Sequence, residues 1–256
     1  MLEIIPVTAL KDNYIWLLEN KINQHAVIVD PSEHEPVLES IKTRGLIPVA
    51  ILITHHHWDH VGGIGGLTNE YDIPVYTPKN EVVKGSTNPV GEGDIINLSE
   101  LSLNISILDV PGHTSGAVAY YTENMVFSGD TLFTAGCGRL FEGSPKEMYR
   151  SLMKIKGFPD DTLIYCGHEY TISNLKFASI VEKNNESIKK RLDMALQTRE
   201  LNQPTVPANL EIEKQTNPFL RCEEKSVINA ASTWAGRILN NPVEVFATIR
   251  SWKDSI

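Results

Sequence analysis

Cysteine is scarce in this chain. There are 3 among 256 residues, Cys137, Cys166 and Cys222, and their spacing shows no paired pattern. That favours a reducing compartment, the cytoplasm, over a disulfide framework. No apolar run approaches the roughly 20 residues that span a bilayer, so no membrane partner is expected. The opening residues, Met1-Leu2-Glu3-Ile4-Ile5-Pro6, lack the basic segment of a secretory signal and start like a strand. Basic charge is short as well: 23 Lys and Arg face 32 Asp and Glu, a net charge of -9. Such a balance argues against nucleic acid or an anionic membrane surface as a partner. An anionic small substrate stays compatible with it, because local charge at a pocket can oppose the global sign. Apolar residues, at 41%, are present in the ordinary proportion for a globular protein and suffice for a large core.

Strand-like runs rich in Val, Ile, Leu and Tyr occur at 2–7, 14–19, 26–30, 49–53, 74–77, 101–110, 117–122, 125–128 and 162–166. Helical patterns lie between some of them. One spans 36–44 and stops at Gly45; another opens at Ser144-Pro145-Lys146-Glu147, a capping box with proline at the first helical position. After about residue 169 the patterns become helical: 171–203, a loop carrying Pro204, Pro207 and Pro218, then stretches near 226–236 and 242–253. Strands mixed with helices, followed by helices alone, give an α/β domain over 1–169 and a helical C-terminal domain over 170–256.

Residues 54–60 read Thr-His-His-His-Trp-Asp-His, directly after an apolar run, and hold four of the chain's 8 histidines. Imidazole and carboxylate are the side chains that bind divalent transition metals, so the cluster predicts a metal site. Alternation in an extended segment points His55, His57 and Asp59 to one side, with His60 brought in by the following turn and His56 and Trp58 left on the other side in structural roles. Gly62-Gly63 and Gly65-Gly66 are expected to turn the backbone sharply into the next helix. His113, Asp130 and His168 each follow a glycine at the end of a strand-like run, which makes them the remaining candidate ligands. A ligand set of nitrogen and oxygen without cysteine is compatible with zinc, iron or manganese, and it leaves room for water, unlike a closed, thiolate-rich structural site.

These motifs, His-x-His-x-Asp-His, Pro-Gly-His-Thr, Ser-Gly-Asp-Thr and Cys-Gly-His-Glu-Tyr, resemble the signature of the metallo-β-lactamase superfamily. Within it the chain is most similar to the glyoxalase II (hydroxyacylglutathione hydrolase) family. The likeness extends to Asp12-Asn13-Tyr14, Gly136-Cys137-Gly138-Arg139, Asn217-Pro218-Phe219-Leu220-Arg221 and Arg250-Ser251-Trp252-Lys253-Asp254. It implies an αββα sandwich with an all-helical C-terminal domain, and two divalent metal ions, zinc foremost. One ion would take His55, His57 and His113, the other Asp59, His60 and His168, with Asp130 bridging. The activity implied is hydrolysis of S-D-lactoylglutathione to D-lactate and glutathione, through a hydroxide between the metals that Asp59 orients; a monomer is the default expectation. Asp30 is a candidate to support a ligand from behind. Glutathione would be held by Arg139, Phe141, Tyr170, Arg250 and Lys253. Arg139 stands where some relatives have Lys, and Phe141 where some have Tyr, which removes a hydroxyl hydrogen bond. Another enzyme of the same fold, a persulfide dioxygenase or a lactonase, is the alternative.

Overall fold

The structure, a computed structural model, describes residues 2–256; Met1 lies outside them. The chain divides into two compact units. Of the described residues, the first comprises 2–109, 114–129 and 167–169, and the second 110–113, 130–166 and 170–256.

In the first unit, β1 (Leu2–Ala9), β2 (Asn13–Asn20), β3 (His25–Val29), α1 (Glu35–Arg44), β4 (Ile47–Leu52), α2 (Trp58–Val61), α3 (Ile64–Glu70), β5 (Val75–Pro78) and β6 (Asn88–Val90) follow in order. The six strands form one sheet in chain order, antiparallel from β1 to β3 and parallel from β3 to β6. The parallel half needs crossovers, and α1 supplies the first. Proline in its first turn and Gly45 in the left-handed conformation bound that helix, as its sequence predicts. A second set, β7 (Ile95–Leu98), β8 (Leu103–Asp109), β9 (Val118–Thr122) and β10 (Met125–Gly129), pairs antiparallel in sequence order. Ile15, Leu17, Ala26, Ile28, Ile51 and Ile53 lose essentially all solvent contact in a core closed by Val37 and Ile41 of α1 and by Ile64 and Leu67 of α3. Val118 donates its backbone N–H to Thr54 O at 2.9 Å, and the Tyr120 hydroxyl donates to Ile53 O at 2.8 Å. These bonds tie β9 to the segment just beyond β4, where the histidine run begins.

In the second unit, β11 (Leu132–Phe133) and β12 (Gly136–Cys137) form a small hairpin, followed by α4 (Pro145–Lys156) and β13 (Leu163–Cys166). Then come α5 (Thr171–Val181), α6 (Glu186–Glu200), β14 (Ala208–Asn209), α7 (Leu210–Thr216), a 3-10 turn (Pro218–Leu220), α8 (Lys225–Ala235) and α9 (Pro242–Asp254). The capping box of α4 is present in full: Glu147 N–H donates to Ser144 Oγ at 3.3 Å, and Ser144 N–H to Glu147 Oε2 at 2.8 Å. The proline-bearing segment read as loop contains α7. That helix is held from inside by Glu213, whose buried carboxylate accepts from Ala135 N–H at 2.8 Å and Asn217 Nδ2 at 3.0 Å and pairs with Arg191. A two-turn helix anchored by a buried acid leaves no amphipathic stripe to read.

Candidate metal centre

The first unit builds its cluster from four chain segments. Asp30, in the left-handed conformation just past β3, accepts Thr54 N–H through Oδ1 and the Thr54 hydroxyl through Oδ2, both at 2.7 Å. With its proton committed, Thr54 Oγ1 can only accept from His55 Nδ1, 3.1 Å away. His55 Nε2 therefore turns its lone pair towards His57 Nδ1, at 3.1 Å. Gly129 is needed beside this contact: its φ is +49°, and a Cβ there would run into Thr54 Oγ1.

Asp30 Oδ2 also lies 3.0 Å from His60 Nδ1, and Asp12 Oδ1 lies 2.9 Å from His168 Nδ1. A carboxylate behind each ring puts the proton on Nδ1 and leaves Nε2 as the ligand atom. Those two Nε2 atoms stand 3.7 and 3.4 Å from one oxygen of Asp59, which Asn13 steadies through Nδ2 at 3.1 Å. Donor atoms of Asp59, His60 and His168 lie within 4.8 Å of one another. His168 reaches this place because its neighbours pair with the start of β2: Tyr14 N–H donates to Gly167 O at 2.8 Å, and Glu169 N–H to Asp12 O at 2.9 Å.

Three expectations about the run need correction. The alternation ends at His57, and Asp59 and His60 are instead delivered by the short helix α2, which brings consecutive residues to one carboxylate–imidazole cluster. The glycines that follow do not turn the chain. Gly62 and Gly63 have right-handed helical angles and serve close packing, since a Cβ would meet Ser32 O at one and Pro31 O at the other. His56 pairs with Glu81 at 3.0 Å, yet its ring also lies beside that of His57, with centroids 5.1 Å apart, and the Trp58 side chain is exposed instead of packed.

The second unit holds the other two candidates together. His113 Nδ1 donates to the Arg139 carbonyl at 2.8 Å, which frees Nε2, 3.4 Å from Asp130 Oδ2. Thr131 Oγ1 donates to Val110 O at 3.3 Å and so joins the two ligand loops. Gly138 allows the close fit, for a Cβ there would meet Asp130 O and His113 Nδ1. Phe141 is exposed and sets its ring edge-on to His113, with centroids 5.2 Å apart.

The residues expected to hold glutathione are also in this unit. Arg250 is buried on α9, donating to Cys137 O and to Asp254 Oδ1, each at 2.9 Å, with its guanidinium carbon 5.2 Å from the Phe219 ring centroid. Lys253, one turn on, donates to Asn174 Oδ1. Desolvation, with Arg250 adding repulsion, pushes the Lys253 ammonium pKa down from 10.5 to about 8. Arg139 is more exposed and reaches Asp254 at 3.4 Å, and Tyr170 packs edge-on against Phe133 at 5.3 Å. Asp12, Thr54 and Asn13 act on the site without having been singled out for it; only the resemblance around Asp12-Asn13-Tyr14 hinted at them.

The donor chemistry fits divalent metal ions. His55, His60, His113 and His168 each have one ring nitrogen committed to a neighbouring oxygen, and the donor groups combine imidazole with carboxylate and contain no thiolate. Similar proteins agree with this. The family model for the metallo-beta-lactamase superfamily matches residues 10–168, and that for the hydroxyacylglutathione hydrolase C-terminus matches 169–256. The solved structure of TTHA1623 in a di-iron-bound form has a TM-score of 0.59 at 28% identity, covering 85% of this chain and 100% of that one. ETHE1 from Myxococcus xanthus has a TM-score of 0.65 at 22% identity over 100% of this chain and 99% of that one, which speaks for the fold alone. The fold and its donor clusters thus define a metal-dependent enzyme of the metallo-beta-lactamase superfamily, of α/β class with a helical C-terminal domain.

Among curated proteins, the hydroxyacylglutathione hydrolase of Nitrosomonas eutropha is 50% identical over 100% of this chain and 99% of its own length. That of Nitrosomonas europaea is 48% identical over 100% and 97%. The chain belongs to the hydroxyacylglutathione hydrolase family, and it is a metal-dependent thiolester hydrolase.

Proposed function

We propose that the protein hydrolyses S-D-lactoylglutathione to D-lactate and glutathione in the cytoplasm, as a monomer. The observation that carries this reading is the Asp59–His60–His168 cluster, with each imidazole tautomer set from behind, in a chain similar to hydroxyacylglutathione hydrolases from end to end. We take residues 1–169 as the catalytic domain and 170–256 as the part that recognises glutathione. His55, His57 and His113 would hold one ion, Asp59, His60 and His168 the other, and Asp130 would bridge them. Zinc suits this set best; iron and manganese are accepted by the same donors. Such ions, when bound, would lower the pKa of a bound water towards ~7 and polarise a carbonyl.

The chain's own groups do the rest. Asp59 orients the attacking water and takes its proton on the carboxylate that Asn13 steadies. The C–S bond breaks with its electron pair on sulfur, and a thiolate (thiol pKa near ~8.5) leaves without a dedicated acid. Lys253, Arg250 and Arg139 offset the two carboxylates of glutathione, while Phe141 and Tyr170 flank its peptide. Three buried cysteines outside any disulfide support a reducing location. Among the described residues no helix is long and apolar enough to cross a membrane.

The test is a substrate comparison on zinc-replete protein. Thiol release from S-D-lactoylglutathione, with negligible opening of a lactone or a β-lactam and no oxidation of glutathione persulfide, is expected. Faster turnover of any of those three would reassign the activity within the fold.

A further inference from the structure

Glu81 lies on the turn after β5, and its side chain is 2% exposed. Its carboxylate accepts from four donors. Oε2 takes the backbone N–H of His56 at 2.5 Å and His56 Nδ1 at 3.0 Å. Oε1 takes the Thr114 hydroxyl and Gly116 N–H, the latter at 3.2 Å. Gly116 has no room for a side chain: a Cβ would meet Glu81 Cγ and the Asn80 carbonyl. The carboxylate thus grips the peptide between His55 and His56, and on its other side the residues that directly follow His113. A buried acid with both oxygens doubly engaged holds its donors tightly, because each would otherwise lose a hydrogen bond out of reach of water.

We propose that Glu81 is a positioning residue for the metal centre, one that sets the direction of the His55–His57 limb through the His56 peptide. It touches neither substrate nor ion. The inference rests on the metal-dependent reading above and concerns this chain's residues alone. An amide at position 81 keeps an acceptor towards His56, but its NH2 faces Gly116 N–H, donor against donor. Alanine removes both sides.

The experiment strips metal from wild type, Glu81→Gln and Glu81→Ala, then measures zinc affinity by competition with a chromophoric chelator and records the visible spectrum of the cobalt(II) form. Thermal unfolding is followed in parallel. Outer partners of metal ligands typically account for about 10–100-fold in affinity, so alanine is expected to weaken zinc binding by that factor and glutamine by less, with shifted cobalt bands in both. Wild-type zinc affinity and cobalt spectra in both variants, whatever their melting temperatures, would overturn the proposal. If the alanine variant does not fold, glutamine alone decides it by the same two readouts. Neither readout involves turnover, so failure of wild type to cleave the thioester would undo the function and leave this comparison standing.

Discussion

The histidine cluster of the first unit and the cationic pair of the second make opposite use of burial. At the cluster, three rings have their outer nitrogen committed: His60 to Asp30, His168 to Asp12 and His55 to Thr54. Burial there leaves lone pairs facing inward, ready for a cation. On α9, Arg250 donates to Cys137 O and Asp254 while its Nε has no partner, Lys253 donates to Asn174, and lowered solvation weakens the Lys253 charge. The first region is prepared to receive positive charge, and the second carries positive charge at a cost. Perturbing each should therefore fail differently.

The largest effect is expected at Asp30. In Asp30→Asn, an NH2 group must face either His60 Nδ1–H or Thr54 N–H, and one ligand loses its tautomer or its orientation. Metal affinity and kcat should fall by about 10–100-fold with KM little changed, read by metal titration and steady-state kinetics. A KM effect alone would mean that the cluster is not prepared in this way.

Arg250→Ala should act on binding and stability. Removing the guanidinium leaves the buried Cys137 carbonyl without this donor, a loss of about 1–3 kcal/mol in denaturant unfolding, and KM should rise more than kcat falls. An unchanged KM with reduced stability would make the residue purely structural. The smallest effect is pH-dependent. Because the Lys253 pKa is lowered to about 8, KM should be level below that pH and rise above it as the ammonium deprotonates. Between about 8 and the ordinary 10.5 the unfolded chain holds the proton that the fold has released, so this group's contribution to stability increases with pH over that window. In Lys253→Met the rise in KM with pH should disappear.

The same contrast explains what could be read in advance. The long strands and the helices bounded by Gly45, by Ser144 and by Asn241-Pro242 carry local signals, and they lie where those signals put them. β6 is three residues with a proline, and β7 is four residues after a glycine-rich turn, so neither shows a usable alternation. At the site, His55 to His60 stand out because ligand chemistry is concentrated in one run. Asp12, Thr54 and Glu81 do not, since each is an ordinary polar residue whose role comes from a partner supplied by the fold. Asp12, for instance, is 156 residues away from the imidazole it orients. The burial of Arg250 was equally hidden: spacing along α9 puts it on a face with Lys253 but says nothing of Cys137 or Phe219.

The most direct test of the account is to return zinc stepwise to metal-free protein and follow thiol release from S-D-lactoylglutathione at each addition. Turnover should be absent without metal, track occupancy and level off at two ions per chain. Turnover that survives complete metal removal, or is still absent with two ions bound, would contradict it.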